Sequence, residues 1–70
     1  MSYRVYLRWP PQRVTDKTVT DSATVAAFAY NELLDRAELR GQPVALAMTH
    51  DGKQLHYHAF DSLEAPQRIT

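Results

Sequence analysis

Cysteine is absent from the 70-residue chain, so no disulfide framework and no cysteine-ligated zinc site can hold it together. Glycine occurs only as Gly41 and Gly52, which leaves no glycine-rich loop to cradle a phosphate. No apolar run approaches the ~18 residues that a membrane span needs, and no basic segment followed by an apolar one opens the chain as a secretory signal would. Net charge is lacking as well. The 8 Lys+Arg balance the 8 Asp+Glu, so there is no sustained positive field of the kind that general nucleic-acid binding requires. Hydrophobic residues nevertheless make up 44% of the chain, too many for wholesale disorder. These features predict one small soluble domain spanning 1–70, cytoplasmic and without a membrane partner.

Size adds a second constraint. A domain this short buries only about 60% of its unfolded-chain surface, and small chains without disulfides or metals often gain stability by pairing. A homodimer or a partner-bound state is therefore expected. The neutral total also hides an asymmetry. The first twenty residues carry Arg4, Arg8, Arg13 and Lys17 against Asp16 alone, and the remainder is mildly acidic. A dipolar surface of this kind suits docking onto a charged partner.

Tyr3 to Trp9 alternates, with Tyr3, Val5, Leu7 and Trp9 on one side and Arg4, Tyr6 and Arg8 on the other. Period-2 alternation of β-favouring residues predicts a half-buried strand, ended by Pro10 and Pro11. Residues 12–20 are polar and β-branched, and read as a loop crossing the sheet edge or as a short edge strand. Thr20, Asp21 and Ser22 offer N-caps for a helix from about Ala23 to Arg40, with Gly41 and Pro43 to stop it. At helical spacing Ala26, Ala29, Tyr30, Leu33, Leu34 and Ala37 form an apolar arc, and Phe28 falls alone on the polar side.

Asp51-Gly52 between two alternating runs predicts a type I′ hairpin over 43–60. With His50 opposite Lys53, the pairs Met48–Leu55, Leu46–Tyr57 and Val44–Ala59 share one face. Thr49–Gln54, Ala47–His56 and Ala45–His58 then share the other, with Pro43 near Phe60. Shifting the register by one sets apolar against polar side chains, which argues for this pairing. Residues 61–70 read as a short helical turn and a partly ordered tail.

The expected architecture is α+β, a two-layer β-α-β-β domain with one helix packed on a three-stranded sheet. The strand order stays open between parallel neighbours and an interposed third strand. One helix covers one sheet face, so the other is left free with Arg4, Tyr6, Arg8, Ala45, Ala47, Thr49, Gln54, His56 and His58.

The chemistry of that face decides the function class. His56 and His58 alternate on one strand about 7 Å apart, which is half of a metal site, and His50 has the wrong parity to complete it. No metal or other cofactor is expected. Ser2, Ser22 and Ser62 fall at the start, the helix cap and the tail, and no carboxylate pair is placed in a pocket, so the chain does not read as an enzyme. Tyr and Arg are enriched where protein interfaces gain energy. The favoured function is therefore protein–protein interaction or self-association through Arg4, Tyr6, Arg8, His56 and His58, with Phe28 as a second anchor on the helix. The alternative is single-stranded nucleic-acid binding, with bases stacked on the same face.

The Tyr3–Trp9 strand, the Arg13–Thr20 segment and the Gly41–Phe60 hairpin together give a chain that resembles small uncharacterised proteins of bacterial phages, plasmids and integrative elements. The resemblance is one of general character over most of the chain. It implies an accessory or inhibitor protein that acts by occupying a surface, and it assigns no role to any single residue.

Overall fold

The computed structural model describes residues 2–69. Two hairpins flank one helix. Strand β1 (Tyr3–Trp9) and strand β2 (Arg13–Thr20) form the first hairpin, helix α1 (Ala23–Leu34) follows, and strands β3 (Ala45–His50) and β4 (Lys53–Ala59) form the second. The sheet is antiparallel throughout, in the order β2-β1-β3-β4. The domain is therefore α+β with one helix on one sheet, but the sheet has four strands rather than three. The segment 12–20, read as a loop, is the added strand. It returns the chain across β1, so β3 enters beside β1 antiparallel, and a parallel first pair is ruled out.

The helix starts where its cap chemistry permits. Ser22 is extended (φ −93°, ψ 120°) and its side chain accepts a hydrogen bond from the Val25 N–H at 3.2 Å. It ends at Leu34, earlier than the expected Arg40. The chain breaks at Arg36 and makes a single 3-10 turn over Ala37–Leu39. Continued α-helix would carry Leu39 about 140° around the axis from Leu34, off the apolar arc. The break instead brings Leu39 into the core at 5% exposure and leaves Ala37 exposed. Val5, Leu7, Leu46 and Met48 from the sheet meet Ala26, Tyr30, Leu33 and Leu34 from α1, with Leu39, Val44 and Phe60 closing one end.

The second hairpin turns as expected, since Asp51 (φ 51°) and Gly52 (φ 84°) both take the positive φ of a type I′ turn. His50 pairs with Lys53 and Thr49 with Gln54. A β-bulge then intervenes, and Met48 lies opposite His56, Ala47 opposite Tyr57, and Leu46 opposite His58. The expected partners of Met48 and Leu46 were Leu55 and Tyr57. Helix α1 packs on β1, β2 and β3, not on β4, so the inner face of β4 has little core to serve. What the bulge achieves lies at the end of the strand. It turns Phe60 to the helix side, where it is buried at 7% exposure, while Leu55 and Tyr57 stay about half exposed. Complete burial of a phenylalanine side chain is worth about 1.5–3 kcal/mol.

A second bulge interrupts β2. Val5 pairs with Thr18 and Leu7 with Thr15, so Tyr6 alone spans Asp16 and Lys17, and Asp16 takes φ 54°. Beyond β4 a bend at 61–64 takes the place of the expected helical turn, with Ser62 Oγ accepting from the Glu64 N–H. The tail then docks back on the helix. The Asn31 amide bonds both the N–H and the C=O of Ile69, each at 2.8 Å, and Arg68 pairs with Asp35.

Candidate functional site

The side chains of the uncovered sheet face follow from the register. Strand β1 contributes Arg4, Tyr6 and Arg8. Their direct partners on β2 are Val19 for Arg4 and Val14 for Arg8, and on β3 they are Thr49, Ala47 and Ala45. Strand β4 completes the rows with Gln54, Tyr57 and Ala59. The central row runs Tyr6, Ala47, Tyr57. Ala47 is buried at 3% exposure although no helix covers it, since a ring stands on each side. Arg4 and Arg8 lie exposed above and below this row. None of these strand positions carries a carboxylate. Asp51 and Asp61 flank grooves at opposite ends of the sheet, beside Arg4 and Arg8 respectively. Asp51 is already engaged by the Ser2 N–H at 3.2 Å.

The expected residues Arg4, Tyr6 and Arg8 are thus brought together on the free face. His56 and His58 are not. The bulge at Leu55 inverts their parity and sends them to the helix side. There the His56 ring lies 5.6 Å from Tyr30, and the His58 ring packs edge-on against Phe60 at 4.9 Å. His50 stacks on Tyr3 at 4.2 Å. Among the described residues no group of three or more metal-ligating side chains converges. Phe28 is 69% exposed on α1, away from the outer sheet face, where it borders a groove beside β2. Alternation along the sequence missed Tyr57, Val14 and Val19 as members of the face. One signal was present: Tyr57 and Phe60 have opposite parity, and both cannot be buried without a bulge somewhere between β3 and the strand end.

The inner side near β4 is the other concave region. A groove of about 480 Å³ lies among Tyr30, His56, Tyr57, His58, Glu64, Ala65 and Gln67. Burial raises the pKa of the Tyr30 phenol above its ordinary value of 10.0, so at neutral pH it is a neutral side chain. No nucleophile with an adjacent base adjoins it.

Comparison with known proteins finds no matching family model, no matching curated protein and no matching solved structure. The functional reading therefore rests on this chain's own surface.

Proposed function

We propose that the protein is a non-enzymatic interaction module that docks an acidic protein surface against the outer face of its sheet. The observation that carries the reading is the Tyr6–Ala47–Tyr57 row, uncovered by any helix and flanked by two exposed arginines with no carboxylate among the strand positions of that face. Two rings standing over a small-residue floor give a partner side chain a place to insert. Arg4 and Arg8 supply complementarity to carboxylates on the approaching surface. An accessory or inhibitor protein that acts by covering a surface needs no more chemistry than this. Single-stranded nucleic acid is the competing occupant. Two arginines and a zero net charge offer it little phosphate neutralisation.

The test begins by identifying what co-purifies with the wild-type chain and continues with the purified pair. Tyr6→Ala with Arg8→Ala removes one ring and one cation from the face while leaving the core untouched. Binding is expected to weaken at least ~30-fold with an unchanged circular dichroism spectrum. Undiminished binding by the double variant would place the contact elsewhere. Tight binding of labelled single strands that collapses steeply with salt would replace the protein partner by a nucleic acid.

A further inference from the structure

We infer that two copies of this chain pair edge to edge through β2, forming one continuous antiparallel sheet. This surface is separate from the outer face above, and the inference does not depend on that reading. Strand β2 is a sheet edge and presents a row of unpaired backbone groups. Its central sequence is Val14-Thr15-Asp16-Lys17-Thr18-Val19. Read antiparallel against itself about a centre between Asp16 and Lys17, it sets Val14 opposite Val19, Thr15 opposite Thr18, and Asp16 opposite Lys17 of the second copy. Each pair occurs twice by symmetry. Apolar pairs, threonine pairs and opposite charges are the cross-strand combinations that stabilise antiparallel strands.

In an unbroken strand this register is forbidden. Residues five apart point to opposite faces, whereas a two-fold axis perpendicular to a sheet requires facing residues to share a face. The bulge removes the conflict. Because Asp16 and Lys17 together oppose Tyr6, Val14 and Val19 both lie on the outer face and Thr15 and Thr18 both on the helix side. The irregularity that would blunt an edge against strangers makes this edge complementary to its own copy.

The surroundings of the edge agree. Four of the seven exposed large apolar side chains lie along it: Val14 and Val19 on the outer face, Val25 and Phe28 on the helix side. Val25 and Phe28 line a groove of about 370 Å³ with Lys17 and Thr18. The groove holds two acids, Asp16 and Glu32, and two bases, Lys17 and Arg36, so two copies can face each other there without net repulsion. The opposite edge lacks these features, since β4 carries Lys53 and no carboxylate.

The mass in solution across a concentration series is the test, read on the wild-type chain and on charge variants. The wild-type chain is expected to dimerise. Asp16→Lys and Lys17→Asp each set like charges opposite one another and should weaken the dimer about tenfold. An equimolar mixture of the two should recover the affinity as a heterodimer, which native mass spectrometry resolves. Asp16 also pairs with Arg36 at 3.5 Å, so its replacement may disturb the monomer. Lys17→Asp alone then decides through salt: added salt should tighten its dimer and loosen the wild-type one. Phe28→Glu should weaken the dimer with an unchanged monomer fold. A wild-type chain that stays monomeric at its highest soluble concentration overturns the inference. So does a dimer whose strength ignores both charge changes.

Discussion

Phe60 against Tyr57 is the sharpest test of the fold, because the bulge at Leu55 and uninterrupted alternation assign these two rings to opposite sides. Phe60 is 7% exposed in the cluster with Leu39 and Val44, and its N–H and C=O bond Val44 and Gly41. Truncation to alanine removes a buried ring, and Phe60→Ala is expected to cost about 3–4 kcal/mol. Tyr57 and Leu55 are 56% and 48% exposed, so Tyr57→Ala and Leu55→Ala should each cost no more than about 1 kcal/mol. A chain of this length has a total stability on the order of 4–10 kcal/mol, so Phe60→Ala approaches the unfolding threshold. Phe60→Leu, at roughly 1–1.5 kcal/mol, keeps the comparison measurable. Urea titrations followed by far-ultraviolet circular dichroism give the ranking from midpoints at equal slope. A larger loss from Tyr57→Ala than from Phe60→Ala would refute the bulged register and return His56 and His58 to the outer face.

Asn31→Ala deletes both hydrogen bonds to Ile69. The loss should be about 1–2 kcal/mol, with amide exchange accelerated at Ile69 far more than at Val5 or Leu46. The Tyr30 phenol is raised by burial, so the unfolded chain loses this proton first as pH rises through 10.0. Stability contributed by the neutral phenol is therefore complete below that pH and falls above it, and Tyr30→Phe should abolish this part of the alkaline loss in urea midpoints compared at neutral and alkaline pH.

Much of the fold was legible from local chemistry. The Tyr3–Trp9 alternation, the Ser22 cap and the Asp51-Gly52 turn each act within a few residues, and each appears as read. The helix end was misplaced because Gly41 and Pro43 are adequate stop signals. The earlier stop at Leu34 is imposed by the burial of Leu39, a tertiary demand that helical periodicity does not express. Strand β2 was hard to see for a related reason. Its residues are mostly exposed, so it carries no alternating apolar signature, and the pairing that makes it a strand comes from β1.

The remaining departures share one cause. Alternation assumes that each residue advances the strand by one face, and a bulge breaks that assumption at one position while every later residue inherits the change. At Leu55 the change exchanges the histidines for Tyr57 on the outer face and gains a buried Phe60. At Asp16 it places Val14 and Val19 side by side in space although they are an odd number of residues apart. Both candidate surfaces therefore depend on irregular positions. Removing the extra residue at Leu55 should leave the β2 edge intact but dismantle the tyrosine row, whereas removing one residue at Asp16–Lys17 should spare Tyr57 and destroy the self-complementary register. Opposite responses of partner binding and of dimer mass to these two deletions are the result required if the surfaces are independent.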